Sequence, residues 1–177
     1  MSSAITPVII TPNLRLRAFT ADDFAACQRL WAGEQVAEAR RLNAEQVWSK
    51  LLRHLGHWQL MGYGYWALEV RSSGQFIGSV GLAYNRRDLP AHYADLVEAG
   101  WTLLPEAQGK GYATEAARAV LAWADQQLQA GLFCIIDPDN LRSQALAKKL
   151  GFHFAEVAAY GHKAVWLYRR GEYRQPD

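Results

Sequence analysis

The sequence predicts one α/β (α+β) domain built around a mixed β-sheet, and three observations carry that expectation. Apolar residues recur at period 2 or 3.6 in an order that reads strand, two helices, three strands, helix, strand, helix, two strands. A single strand–helix–strand crossover, Leu96 to Ile136, calls for one parallel pair with its ligand at the strand's carboxyl end. Where that strand hands over to the helix stands Gln108-Gly109-Lys110-Gly111-Tyr112-Ala113-Thr114. Free backbone N–H groups and the positive end of a helix dipole gather at such a junction, which makes an anion site. A pocket for a phosphate-bearing cofactor is therefore expected there.

The elements follow in order. Leu14 to Phe19 alternates as a half-buried strand, after a lead-in, Met1 to Pro12, in which Pro7 and Pro12 discourage regular structure. Thr20 with Asp23 resembles a capping box, and Phe24, Cys27, Leu30 and Trp31 follow at helical spacing. Asn43 with Gln46 opens a second helix whose face is Val47, Leu51, Leu55 and Trp58. Tyr65 to Val70 and Phe76 to Tyr84 read as strands around the turn Arg71 to Gln75, and Asn85 to Asp95 as a polar loop broken by Pro90. Leu96 to Leu104 is the next strand, where Gly100 suggests a bulge or close approach. Ala113 to Gln129 is helical, with Gly131 in the place of a C-cap, and Leu132 to Ile136 is a buried strand. Asn140 caps a short helix through Leu150, ended by Gly151. Phe152 to Val157 and Ala164 to Tyr168 close the sheet, and the polar tail beyond Arg170 is expected to fray.

The totals bound the function. A chain of 177 residues holds one core and is short for two, so a single domain over 1–177 with its core at about 14–168 is expected. It is 50% hydrophobic and 20% charged, the balance of a globular chain. A net charge of +2 without a basic run argues against nucleic acid. No apolar run reaches membrane-spanning length, and two cysteines support neither a disulfide framework nor a zinc site. The expected setting is cytoplasmic, with no membrane and no metal.

Three motifs compete for the glycine-rich junction. A P-loop needs a Ser or Thr after its Lys, but Lys110 is followed by Gly111 and Tyr112. A dinucleotide fingerprint needs a third glycine where Thr114 stands, and an acidic residue on the next strand, which is wholly apolar. The third pattern is Q-x-x-G-x-A, here Gln108 to Ala113. With Glu98 to Leu104 leading into it, and Asn140-Leu141-Arg142-Ser143 and Lys149-Leu150-Gly151-Phe152 following, the chain resembles the GCN5-related N-acetyltransferases, and among them the RimJ/RimL-like group, from Leu14 to about Tyr168.

That resemblance implies a mostly antiparallel central sheet with its parallel pair at the cofactor site, helices on both faces, and acetyl-CoA as co-substrate. It implies that the N–H groups from Gln108 to Thr114, namely those of Gln108, Gly109, Lys110, Gly111, Tyr112, Ala113 and Thr114, hold the pyrophosphate, with small residues letting phosphate oxygens approach. The pantetheine arm would pair with the strand near Leu103 and Leu104, and Asn140 and Lys149 would also serve the cofactor. The acceptor is a primary amine, on a protein N-terminus or a small molecule. The residues themselves leave the oligomeric state open, a homodimer included.

An alkyl amine has a pKa near 10, so a base must take its proton before it attacks a thioester. Glu98 is the candidate base, matching a carboxylate of RimJ/RimL-like enzymes, with Asp95 and His92 in reserve. Many relatives carry a Tyr acid where this chain has Ala147, which leaves Ser143 as the candidate acid at the leaving thiolate. Two rival readings are a non-catalytic acyl-CoA-binding or regulatory module and an unrelated nucleotide-binding module. Cys134, within an apolar strand, reads as a core thiol rather than a nucleophile.

Overall fold

The computed structural model describes residues 6–171. The expected lead-in over residues 1–5 and the frayed tail beyond Gly171 lie outside them. The chain forms two compact units, Met1–Gly81 with Trp101–Val120, and Leu82–Gly100 with Leu121–Asp177.

The first unit holds strands β1 (Ile9–Ile10), β2 (Leu14–Arg17), β3 (Tyr65–Val70) and the start of β4 (Phe76–Ala83), with β1–β2, β2–β3 and β3–β4 each paired antiparallel. It also holds helices α1 (Phe24–Ala32) and α2 (Ala44–Met61), the end of β5 (Val97–Leu103) and the start of α3 (Tyr112–Gln127). In β2, Leu14 and Leu16 are fully buried while Arg15 is exposed, as the alternation requires. Strand β1 lies inside the expected lead-in; a two-residue strand beside Pro12 shows no periodicity to read.

The first capping box forms, with Thr20 N–H donating to Asp23 Oδ2 at 2.8 Å, but it closes a single 3₁₀ turn and α1 begins only at Phe24. Asp23 is buried because it also accepts a two-pronged hydrogen bond from Arg17, at 2.7 Å on each oxygen. The second box opens α2 as expected: Asn43 Oδ1 accepts from Gln46 N–H, and Gln46 Oε1 from Asn43 N–H, both at 2.9 Å. Gly62 ends α2 in the left-handed region, φ 72°. Phe19, Cys27, Trp31, Val47, Leu51 and Leu104 belong to one apolar cluster in this unit. Leu104 N–H donates to Ile77 O at 2.8 Å, which ties the end of β5 to β4.

The second unit holds the start of β5, β6 (Leu132–Ile136), α4 (Leu141–Lys149), β7 (His153–Tyr160) and β8 (Lys163–Arg170). Strands β5 and β6 run parallel, Val97 beside Leu132 and Glu98 beside Phe133, as the crossover demands. Every other strand pairing described is antiparallel, β6 with β8 and β8 with β7. The mixed, mostly antiparallel α/β class is thus observed. Tyr93, Leu96, Phe133, Ala158 and Leu167 pack as this unit's cluster.

One reading is corrected. Helix α3 ends at Gln127, so Gly131 is not its C-cap. Gly131 O accepts from Val97 N–H at 3.0 Å, and a Cβ on it would lie 2.9 Å from Leu96 Cδ2. The glycine leads into β6 and lets β5 come close. Gly151, by contrast, follows α4 with φ 85°, as expected of a helix-ending glycine.

Candidate active site

The junction expected to bind an anion lies in the first unit. Pro105–Ala107 makes one 3₁₀ turn after β5, with Pro105 at its first position. Leu104 is 1% exposed and anchors the turn, while Leu103 is half-buried. Gln108 then folds back, its Nε2 donating to Leu103 O at 3.1 Å, which fixes the end of the strand to the start of the loop. Gly109 and Gly111 adopt φ 74° and 82°. No atom lies within 4 Å of the place a Cβ would take on either. The left-handed backbone alone therefore accounts for glycine at both positions in this structure.

Glu115 N–H donates to Gly111 O at 3.0 Å. The N–H groups of Tyr112, Ala113 and Thr114, in the first turn of α3, precede the intrahelical ladder and have no intrahelical acceptor. Lys110 is exposed at the same end. First-turn N–H groups, a helix dipole and an exposed cation are chemistry that suits a pyrophosphate. Gln108 N–H is not part of that set, because it donates to Pro105 O at 3.1 Å and closes the preceding turn. The carboxylate of Glu115 is turned to another task. It accepts from Thr11 Oγ1 at 2.5 Å, from Asn13 N–H at 2.8 Å and from Asn13 Nδ2 at 2.9 Å, pinning the β1–β2 turn against α3. Burial alone would raise its pKa, and these hydrogen bonds outweigh it and lower the value.

In the second unit Glu98 sits on β5, 8% exposed. Arg87 grips it with both prongs, Nε to Oε2 at 2.5 Å and an Nη to Oε1 at 2.8 Å, and Asn85 Nδ2 donates to Oε2 at 2.9 Å. The other Nη of Arg87 donates to Tyr160 Oη at 2.6 Å, and its guanidinium lies 5.0 Å from that ring's centroid. The bond to Glu98, ahead of the cost of burial, holds Arg87 more firmly charged than a free guanidinium.

The reserve bases are placed too. Asp95 is exposed, and His92 Nε2 lies 2.6 Å from Glu156 Oε1. Asn140 caps α4, its Oδ1 accepting from Ser143 N–H at 3.1 Å, and Ser143 is half-buried in the first turn. Lys149, the last residue of α4, is exposed. Ala147 is fully buried, so this position faces the packed interior of its unit. Cys134 is 2% exposed and burial pushes its thiol up to about 12, which is the behaviour of a core residue.

Sequence reasoning missed Asn85, Arg87 and Tyr160 around Glu98, and Thr11 and Asn13 around Glu115. Asn85 and Arg87 were visible only as part of a polar loop between two strands, which says nothing about partners 11 or 73 residues away.

The fold shows a mixed sheet with one parallel pair and, in the first unit, a helix N-terminus preceded by two left-handed glycines. Comparison with known proteins gives the family. The family model described as "Acetyltransferase (GNAT) domain" matches residues 13–153. The chain belongs to the GNAT acetyltransferases, a family that uses acetyl-CoA. The uncharacterised protein YkkB of Bacillus subtilis is 31% identical over 115 residues, 63% of this chain and 64% of that one. The match thus spans less than two thirds of that relative. A structure from Bordetella pertussis assigned to the GnaT acetyltransferase family is similar with TM-score 0.85 and 28% identity, over 94% of this chain and 100% of that one. RimL, an alpha-N-protein acetyltransferase of ribosomal L7/L12 solved in complex with coenzyme A, shares the fold at TM-score 0.73 and 16% identity, over 93% of this chain and 97% of that one.

Among the described residues no helix is long and apolar enough to cross a membrane.

Proposed function

We propose that this chain, acting as one acetyltransferase domain, transfers an acetyl group from acetyl-CoA to a primary amine by direct attack in a ternary complex. The acceptor is a protein N-terminus or a small-molecule amine. The observation that carries the proposal is the GNAT match, which runs across the β5–α3 junction where the left-handed glycines present the first N–H groups of α3.

Bound there, acetyl-CoA supplies an activated acyl group whose thioester carbon the amine nitrogen attacks. The N–H groups from Gly109 to Thr114 hold the pyrophosphate, with Lys110 adding charge, while Gln108 N–H stays with Pro105 O. The end of β5 at Leu103 and Leu104 serves the pantetheine arm, and Asn140 and Lys149 are the further residues assigned to the cofactor. A backbone N–H near Leu103 stands as the donor to the developing oxyanion. As the new C–N bond forms and the C–S bond breaks, the amine proton passes to Glu98, directly or through a water. Ser143 supplies a proton to the leaving thiolate.

The geometry at Glu98 is compatible with that role. A carboxylate offers about four lone-pair sites. Asn85 and Arg87 fill two on Oε2 and one on Oε1, and this leaves one site on Oε1.

The test is thermal unfolding of the purified protein alone and with acetyl-CoA, NAD or ATP. Ligand at 100 times its dissociation constant adds about 2.7 kcal/mol. At this chain length that is a rise of roughly 5–10 °C. The reading requires the rise with acetyl-CoA, followed by amine-dependent thiol release. No rise with acetyl-CoA overturns it, and a rise with NAD instead would make the junction a dinucleotide site. A Glu98→Gln variant that binds acetyl-CoA normally but turns over slowly separates the enzyme from a non-catalytic acyl-CoA-binding module.

A further inference from the structure

We propose that Arg87 is a positioning residue for acetyl transfer, acting through Glu98 and itself held by Tyr160. The inference rests on the reading of Glu98 given above. Three features of the second unit support it.

The first is the completeness of the grip. Arg87 uses Nε and one Nη on the two Glu98 oxygens and the other Nη on Tyr160, so the planar guanidinium spans both groups. A fork of this kind fixes the carboxylate plane as well as its charge, which a lysine ammonium does not do.

The second is the backbone that delivers it. Arg86 has φ 44° and is, among the described residues, the one non-glycine in the left-handed region. Such a conformation is strained for a side-chain-bearing residue and persists where the surroundings over-determine it. It directly precedes the residue that clamps Glu98.

The third is enclosure. The Arg87 side chain is 27% exposed and that of Glu98 10%, so the pair is shielded rather than a screened surface contact. The other groups facing it are Asn85 on the same loop, Tyr160 on β7 and the buried Cys134 on β6, whose thiol senses the Glu98 charge. Arg87 is the cation in direct contact.

Together these features confine the proton acceptor to one rotamer, with one oxygen lone pair left for the amine or its bridging water.

The test compares native protein with Arg87→Met, Arg87→Lys, Tyr160→Phe, Glu98→Gln and the Arg87→Met/Glu98→Gln pair. The probes are acetyl-CoA with a serine-initiated peptide and with 1,4-diaminobutane as amines, read by thiol release. Each variant is assayed at a temperature where circular dichroism shows it folded. Glu98→Gln is expected to lose roughly 10²–10⁴-fold in kcat. Arg87→Met is expected to lose more than about tenfold in kcat with KM for acetyl-CoA unchanged, and Arg87→Lys to recover part of that loss. Tyr160→Phe keeps the ring and is expected to lose less. The double variant is expected to be no slower than Glu98→Gln alone, because both changes remove one unit.

A merely structural pair would raise KM for acetyl-CoA along with any fall in kcat, and that pattern overturns the proposal. If Glu98→Gln is slow while Arg87→Met matches native kcat, this proposal alone fails. If Glu98→Gln matches native protein, the Glu98 assignment fails and the Arg87 assignment falls with it. If neither amine releases thiol from native protein, the proposed role of Arg87 is overturned at its root, in acetyl transfer itself.

Discussion

Histidine 54 gives the sharpest stability prediction. It lies on the inner face of α2, 7% exposed, with its Nε2 lacking any hydrogen-bond partner. The rings of Phe19, Trp31 and Tyr65 surround it at centroid distances of 5.3, 5.5 and 4.7 Å. Burial, reinforced by the charges of Lys50, Arg53 and His57, lowers its pKa from 6.5 to about 3. In the native state the ring is therefore neutral, whereas the unfolded chain takes up a proton near pH 6.5. The folded value is the depressed one, so this contribution is intact above pH 6.5 and is lost as pH falls towards 3. At pH 5 the gap is about 1.5 units at roughly 1.4 kcal/mol each, so His54 alone removes about 2 kcal/mol relative to pH 7. Urea unfolding of native protein and His54→Leu at pH 7 and pH 5 reads this directly. Leucine is similar in volume and leaves no unpaired nitrogen, so the variant should match or exceed native stability at pH 7. Its loss between pH 7 and pH 5 should be smaller than native by about 2 kcal/mol. Equal losses in the two proteins would refute the reasoning, because every other titrating group is common to both.

Three further predictions come from the backbone and the buried charges. Gly78 has φ 152°, and a Cβ there would lie 2.3 Å from Thr102 O, a backbone atom that cannot swing away; Gly78→Ala should cost about 3 kcal/mol in urea unfolding and disturb the end of β5. Gly111→Ala meets no atom and only the strain of φ 82°, so it should cost about 1 kcal/mol while weakening acetyl-CoA more than tenfold in a thermal-shift titration. Asp23→Asn leaves the guanidinium of Arg17 with Glu69, at 2.5 Å, as its remaining acid partner, and should cost about 2–3 kcal/mol at pH 7. For native Asp23 burial raises the pKa but the bonds from Arg17 and Thr20 lower it overall, so its stabilisation is present above the usual carboxylate range and is lost on acidification through the lowered value.

What could be read from the sequence follows the range of the interactions. The α2 cap needs only Asn43 and Gln46, and the end of α4 only Gly151, so both are visible within a four-residue window. The β3–β4 hairpin and the β5–β6 crossover were likewise set by local period and turn residues. Gly131 misled because a glycine after a helix admits two explanations, a left-handed cap or a close approach. The strand beside it decided for the second. The glycines of the junction were read as room for phosphate oxygens, and the structure adds a second reason, the left-handed backbone at Gly109 and Gly111.

Glu98 shows where local reading stops. Its place on the strand was visible, yet its chemistry depends on Asn85 and Arg87, 13 and 11 residues before it, and through Arg87 on Tyr160. No periodicity links those positions, because loop side chains answer to three-dimensional geometry alone. The consequence is functional as well as structural. The side chains that fix the loop after β4 also occupy three of the four lone-pair sites of the carboxylate. On the proposed role of Glu98, a change in that loop should lower turnover, and because it breaks a shielded ion pair it should also cost stability.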